Sequence, residues 1–167
     1  MEQMKATPSL SFSQAINQAA NNILKFNGRA RRSEYWWTMA VVYLVSLVLT
    51  PLAGSVLNLL TIPLTFRRLH DSGRSGWWWG CGAILQGIVF ILLFCDLISF
   101  IFQAGFSGGL SNIGFDIILT WLLKYSLLSI LIFIYEVVLI ILCCIDSDPY
   151  ENKYGKSPKY VPEETII

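Results

Sequence analysis

Six arginines in two short segments are the residues of this 167-residue chain best suited to bind another molecule. A guanidinium group holds phosphate through two parallel hydrogen bonds. On the cytoplasmic side of membrane helices, a basic pocket suits an anionic lipid headgroup. The alternative is that these arginines only orient the chain in a membrane. The candidate binding residues for an anionic lipid or a protein partner are Arg29, Arg31, Arg32, Arg67, Arg68 and Arg74.

His70 and Asp71 have the residue types of a catalytic or metal site. His70 is the only histidine in the sequence, and no neighbouring residue completes a catalytic triad or a conventional metal site. We therefore expect no enzyme activity, no metal and no cofactor. The interpretation we favour is structural: His70 and Asp71 lie in an ordered loop, where Asp71 caps the turn at Ser72-Gly73 and pairs with an arginine of the first segment.

Four polar residues interrupt the longest apolar stretches of the sequence. Ionisable groups inside a membrane are costly and are functional candidates by default. At the helical rise of ~1.5 Å per residue, Asp96 and Lys124 reach similar depths near the outer face, which permits an ion pair. The same counting permits a hydrogen bond between Glu136 and Gln86. The alternatives are snorkelling of Asp96 and Lys124 to the outer interface and an ion path that uses Glu136. The intramembrane polar candidates are Gln86, Asp96, Lys124 and Glu136.

The composition is that of a membrane protein. Hydrophobic residues make up 54% of the chain and charged residues 14%, whereas soluble domains carry about 25% charged residues. The surface must therefore be covered by something apolar, and lipid is the obvious candidate. A net charge of +1 argues against a nucleic-acid partner. We expect a single membrane domain over residues 1–167.

An amphipathic helix is predicted over residues 12–26. Its apolar residues recur at a spacing of three to four. Ser11 and Gln14 form a predicted capping box at its start, and Asn27-Gly28 is expected to end it. The helix either packs against the rest of the protein or lies in the membrane interface.

The remaining apolar segments predict about four membrane segments in an all-α, polytopic helical bundle. Residues 35–66 are expected to form a short hairpin that turns near Pro51, and the alternative is one long tilted helix. Longer membrane helices are predicted at 77–102 and 115–145, followed by a cytoplasmic tail at 146–167. Because arginine-rich loops stay in the cytoplasm, both termini are expected there.

Three motifs carry a resemblance to a known family. They are Gly28-Arg-Ala-Arg-Arg-Ser-Glu-Tyr-Trp-Trp37, Arg67-Arg-Leu-His-Asp-Ser-Gly-Arg-Ser-Gly-Trp-Trp78 and Asn152-Lys-Tyr-Gly-Lys-Ser-Pro158. In this order they resemble the small bacterial inner-membrane proteins of the domain of unknown function 805 family, over roughly residues 20–160. The resemblance implies a helical bundle in the bacterial cytoplasmic membrane and no assigned activity. This chain departs from the family pattern by a shorter stretch before Arg67 and a longer apolar region after Trp79.

The function that we favour from these features is a scaffold or accessory protein. Its arginine-rich cytoplasmic rim would bind anionic lipid or a protein partner. Membrane lipids are the expected partners, and a protein partner or a second copy of the chain is possible. The alternative is a small transporter or channel subunit that uses Glu136.

Overall fold

A computed structural model describes residues 3–106 and 115–163 of the chain. These residues are mainly helical, as predicted. The elements in chain order are β1 (Met4–Ala6), α1 (Phe12–Asn21), α2 (Arg32–Val48), α3 (Pro51–Leu60), α4 (Ile62–Asp71), α5 (Trp77–Phe106), α6 (Phe115–Cys144) and β2 (Tyr160–Pro162). The described residues divide between two compact units, one from 1–79 and 140–167 and the other from 80–139.

Helix α1 begins as predicted but ends early. The side chain of Ser11 accepts a hydrogen bond from the backbone of Gln14, and the Gln14 side chain accepts one from the backbone of Ser11. The predicted end at Asn27-Gly28 is wrong, because the helix stops at Asn21 and the Asn22 side chain donates to the carbonyl of Gln18. Asparagine competes for backbone groups in this way and weakens a helix.

One face of α1 packs against α2. Ala15 and Ala19 are buried, and the Phe12 ring meets the edge of the Trp37 ring at a centroid distance of 5.5 Å. The backbone N–H of Leu10 also donates to the Ser33 hydroxyl. These contacts favour the interpretation of α1 as a helix packed on the protein.

The chain reverses direction between α2 and α4. Leu49 and Thr50 are extended, as expected for residues that precede Pro51, which disfavours helix before it. Glu34 and Arg67 lie 3.0 Å apart although 33 residues separate them, whereas one continuous helix would hold them ~50 Å apart. A single long helix over 35–66 is therefore excluded.

The second half of this reversal is not one straight helix. It is split at Thr61 into α3 and α4, because Pro63 lacks the N–H that a continuous helix would need there. Helix α3 has 10 residues and spans only ~15 Å. That is about half of a ~30 Å hydrocarbon core, so α3 alone is too short to cross it.

Among the described residues, two helices have the length and composition of membrane spans. They contain the apolar stretches Trp77–Gln103 and Leu119–Cys144, of 27 and 26 residues. Between residues 80 and 139, the two helices run antiparallel, since Gln86 contacts Glu136 and Asp96 contacts Lys124. Helix α5 continues to Phe106, four residues beyond its predicted end, and residues 107–114 fall outside the described residues.

The segment around Asp71 is helical, which corrects the predicted loop. Arg67, Arg68, His70 and Asp71 form the last turns of α4, and the loop contains only the residues between Asp71 and Trp77. Asp71 does not cap the Ser72-Gly73 turn, because its carboxylate is bonded to arginines instead. Leu64 and Leu69 are buried on this helix together with its charged residues Arg67, Arg68 and Asp71.

The tail contains a strand that was not predicted. Strand β2 pairs with β1 in an antiparallel register that sets Lys5 opposite Val161. The backbone N–H of Thr7 then donates to the carbonyl of Lys159 at 2.8 Å. The tail is thus joined to the beginning of the chain, and the prediction of an all-α fold is corrected by this small sheet.

Candidate functional site

Asp71 is the centre of a buried arginine cluster. The cluster consists of Arg29, Arg31, Arg67 and Arg68 with the carboxylates of Glu34 and Asp71, all of them buried. One carboxylate oxygen of Asp71 accepts from Nε of Arg29 at 2.9 Å, and the other accepts from Nη1 of Arg68 at 2.6 Å and from the hydroxyl of Ser147. The expected pairing of Asp71 with an arginine of the first segment is confirmed.

Arg68 joins three segments of the chain. Its side chain is fully buried. Nε donates to the carbonyl of Cys143 at 2.8 Å, Nη1 donates to Asp71 and more weakly to Ala30, and Nη2 donates to the carbonyl of Ile145. A buried guanidinium needs such partners, since an unpaired charge in the interior is strongly unfavourable.

Arg29 holds the tail through backbone carbonyls. Its Nη1 donates to Tyr150 at 2.9 Å and to Gly155 at 3.2 Å, and its Nη2 donates to the carbonyl of Asp148. Gly155 has a φ of +116°, a backbone conformation that residues other than glycine rarely adopt. The motif at 152–158 therefore needs its glycine to present this carbonyl to Arg29.

Arg67 and Glu34 form a second buried ion pair. Nη1 of Arg67 donates to Glu34 at 3.0 Å, so a second ion pair joins the first and second arginine segments. The other Glu34 oxygen and both Nε and Nη2 of Arg67 are buried without a partner among the described residues. Burial raises the pKa of Glu34, and the Arg67 charge opposes this rise.

Arg31 is buried, and no carboxylate of the described residues pairs with it. Its Nη2 donates to the carbonyls of Thr7 and Pro8 at 3.0 and 2.7 Å. Burial lowers its pKa, and the charge of Asp71 opposes the change. The cluster holds four guanidinium groups and two carboxylates, so it has a formal excess of two positive charges.

His70 is fixed in place by its neighbours. Its Nδ1 lies 3.2 Å from the carbonyl of Gly28, and its ring stacks on Tyr154 at 3.7 Å. Asn152 donates to the backbone carbonyl of His70 at 3.0 Å. Burial lowers the pKa of His70, and the charge of Lys153 acts in the same direction. These contacts support the structural role expected for His70.

The two remaining arginines are at least partly exposed. Arg74 is half-buried, and no carboxylate of the described residues lies within ion-pair distance of it. Arg32 has 44% of its side chain exposed and pairs with Asp146 at 3.1 Å. It also lines a surface cavity of about 520 Å³, here called the Arg32 groove, whose lining residues are Arg32, Ser33, Trp36, Trp37, Ala40 and Cys144.

The six arginines therefore do not share one open pocket. The four in the cluster point to carboxylates and backbone carbonyls inside the protein. This narrows the binding site expected from the sequence to Arg32 and Arg74. It also assigns the other four a role in joining chain segments.

The three sequence motifs meet at this cluster. Arg29 comes from the first, Asp71 from the second, and Gly155 from the third. The family described as "Protein of unknown function (DUF805)" matches residues 23–59 and 47–156 of the chain. The chain belongs to this family. The DUF805 motifs thus correspond in space to one buried cluster.

The similar proteins are bacterial membrane proteins. Inner membrane protein YhaH of Escherichia coli (strain K12) is 35% identical over 105 residues, which cover 52% of this chain and 83% of that protein. Inner membrane protein YhaI of the same strain is 38% identical over 71 residues, which cover 34% of this chain and 60% of that protein. No solved structure matches the chain. This DUF805 protein is thus a membrane protein, and its relatives support an inner-membrane location.

The polar residues of the apolar helices pair as the sequence predicted. Lys124 donates to Asp96 at 2.6 Å, and the Tyr125 hydroxyl donates to the same oxygen at 2.6 Å. The Gln86 amide donates to Glu136 at 2.6 Å. Within the described residues, no group of three or more histidine, cysteine or acidic side chains could hold a metal ion.

Sequence reasoning missed several residues of the cluster region. Ser147 is buried and donates to Asp71, and Lys159 pairs with Asp146 at 2.6 Å. Neither residue stands out in sequence, because an isolated serine or tail lysine is usually a solvated side chain. The sequence feature that points to this region is the third motif at 152–158. Its asparagine and glycine indicate a fixed turn, but they do not indicate which residues the turn contacts.

Proposed function

We propose that this protein is a multi-pass, non-catalytic scaffold or accessory protein of the bacterial inner membrane, with both termini in the cytoplasm. Its rim would bind anionic lipid or a protein partner. The observation that carries the proposal is the arginine cluster. The side chains that could act in catalysis make structural contacts instead. Asp71 accepts hydrogen bonds from two arginines and a serine. His70 stacks on Tyr154 and lies within hydrogen-bond distance of the carbonyl of Gly28.

The arginine cluster supports a topology in which the chain crosses the membrane an even number of times. Residues before α2, at the end of α4 and directly after α6 share one set of ion pairs and hydrogen bonds. These contacts support a topology in which the three segments lie on one side of a membrane. The positive-inside rule favours the cytoplasm for that side. Helices α5 and α6 would then cross outward and back, and the α2–α3 reversal would enter and leave from the cytoplasmic face.

The rim retains two arginines for binding. Arg32 and Arg74 keep exposed donors, and the neighbouring cluster adds its formal excess of positive charge. Such a field attracts the anionic surface of a membrane leaflet. Trp36, Trp37 and Trp77 are exposed near these arginines in sequence, as expected at a membrane–water interface.

The transporter alternative has less support. A carboxylate that carries an ion should line a polar cavity. Glu136 accepts a hydrogen bond from Gln86, which is the kind of contact that a structural residue makes. It remains a lesser alternative to the scaffold.

Reporter fusions test the topology on which the proposal depends. A reporter that is active only in the cytoplasm should work at both the N- and the C-terminus of the full chain. Activity at one end only would contradict the even number of crossings. Native mass spectrometry of the gently solubilised protein would then detect bound lipid or a protein partner, and a chain free of both would contradict the binding rim.

A further inference from the structure

We propose that the Arg32 groove binds an anionic glycerophospholipid, with its phosphate on Arg32 and one acyl chain on the apolar stripe of α2. This inference rests on the lipid-binding rim proposed above and specifies its site. The groove volume of about 520 Å³ lies in the range of ligand pockets. One end of the groove is cationic, while tryptophan and alanine side chains form the rest of its wall.

Arg32 can engage a phosphate without leaving a carboxylate unpaired. Its partner Asp146 lies 3.1 Å from Arg32 but only 2.6 Å from Lys159. Lys159 donates to both oxygens of Asp146. Because Asp146 keeps this partner, Arg32 can turn toward an incoming anion and give up, besides this ion pair, only a long hydrogen bond of 3.4 Å to the carbonyl of Cys144. No arginine of the buried cluster has this freedom.

Further donors lie beside Arg32. The Ser33 hydroxyl accepts a hydrogen bond from Leu10, and none of its described bonds uses the hydroxyl proton. Helix α2 begins at Arg32 without a side-chain cap, so its first N–H groups and the positive end of its dipole face this region. Together with the guanidinium, these groups suit a phosphate that carries one negative charge.

The tryptophans define the level of the headgroup. Trp36 and Trp37 are 39% and 46% exposed, so neither ring is needed to fill the protein core. Phe12 packs edge-on against Trp37, and Tyr35 does the same against Trp36. Rings held in this way can contact the glycerol region of a lipid with little loss of side-chain entropy.

An apolar stripe continues from the groove along α2. Tyr43, Leu44 and Leu47 are exposed by 66%, 62% and 65%. They follow Trp36, Trp37 and Ala40 at the helical spacing of three and four residues, so they share one face. From Arg32 to Leu47 the helix rises ~22 Å, which exceeds the ~15 Å depth of one leaflet of the hydrocarbon core. A free phosphate ion would use none of this stripe, which favours a lipid.

Native mass spectrometry with defined lipids tests the site. The full chain in detergent is titrated with phosphatidylglycerol or phosphatidylcholine, and Arg32→Gln is compared with Lys156→Gln, which changes an exposed tail lysine. Both variants lose one positive charge, but only Arg32 lines the groove. We expect the wild type and Lys156→Gln to retain phosphatidylglycerol preferentially. Arg32→Gln should retain it at least about tenfold less, the factor for one lost charge-assisted hydrogen bond.

A second variant tests the apolar wall without changing charge. Ala40→Trp fills the groove on an exposed helix face, and it should reduce phosphatidylglycerol retention while the melting temperature stays near that of the wild type. Competition by inorganic phosphate as strong as by the lipid would overturn the lipid assignment. Equal retention of phosphatidylglycerol in Arg32→Gln and Lys156→Gln would show that the groove is not the binding site. A wild type without any preference for phosphatidylglycerol would instead contradict the proposed lipid-binding rim itself.

Discussion

The buried arginine cluster and the α5–α6 pair solve the same problem in different ways. Both place charged side chains away from bulk water. In the cluster, the protein encloses the charges: Asp71 and Arg68 are fully buried, and each has three or more partners. In α5–α6, Asp96 and Lys124 remain 29% and 41% exposed to the surroundings of the chain.

The buried cluster and the charges of α5 and α6 have different structural roles. A set enclosed by protein must be fully paired, so it fixes the relative positions of the segments that supply it. A set that faces lipid needs only one partner per charge, and it orients two neighbouring helices. We therefore expect the cluster to determine whether the segments around Asp71 fold together. The α5–α6 contacts should instead adjust how two already formed helices pair.

The largest expected effect is that of Asp71→Asn. The substitution leaves Arg29 and Arg68 buried without their shared carboxylate, and breaking a buried ion pair costs about 3–5 kcal/mol. The melting temperature in detergent should fall steeply. Asp146→Asn is the matched control, because that exposed carboxylate contributes at most about 1 kcal/mol. Similar losses in the two variants would show that burial of the cluster does not matter.

A smaller loss is expected when the second ion pair is broken. Arg67→Met leaves Glu34 without its cation and should cost about 3 kcal/mol, at the lower end for a buried pair. The cost is limited because burial already raises the pKa of Glu34, so the carboxyl can take up a proton.

Replacing both partners tests the same pair more sharply. Arg67→Met with Glu34→Leu removes the charge left alone in the single variant, and most of the lost stability should return. Additive losses in the double variant would mean that the two side chains do not depend on each other.

Sequence reasoning predicted the pairs within regular helices and missed how the tail folds. Helical counting matched Asp96 with Lys124 and Gln86 with Glu136, because a helix converts sequence distance into depth. It also predicted that an arginine of the first motif pairs with Asp71. The partners of Arg29 in the tail could not be predicted, since they are backbone carbonyls in a turn. The split at Thr61 was also missed, although Pro63 carried the signal.

A lesser effect is expected from Lys124→Met, which removes the partner of Asp96. Tyr125 still donates to that carboxylate, so the melting temperature should fall less than in Asp71→Asn. Lys124→Met with Asp96→Leu should recover the loss. Lys156→Met, which changes an exposed tail lysine, controls for the loss of charge. A larger drop for Lys124→Met than for Asp71→Asn would reverse the comparison between the regions.

The smallest expected effect is a pH dependence from His70. Its pKa lies below its ordinary value of 6.5, chiefly because of burial, so the folded protein prefers the neutral ring. The contribution of His70 is therefore complete above about pH 6.5 and is lost as the pH falls toward the lowered pKa. Free histidine has a pKa of ~6.5. His70→Gln should therefore flatten the fall in melting temperature between about pH 7 and about pH 5. An unchanged slope would remove His70 as its source.

The central claim is that the three DUF805 motifs form one buried cluster around Asp71. Hydrogen exchange of the purified full chain tests it directly, through peptides that cover residues 28–34 and 146–158. Both peptides should exchange slowly in the wild type and in Asp146→Asn, and both should exchange fast together in Asp71→Asn. Exchange of the wild-type tail at the rate of an unstructured chain would contradict the claim, and so would loss of protection in only one of the two peptides.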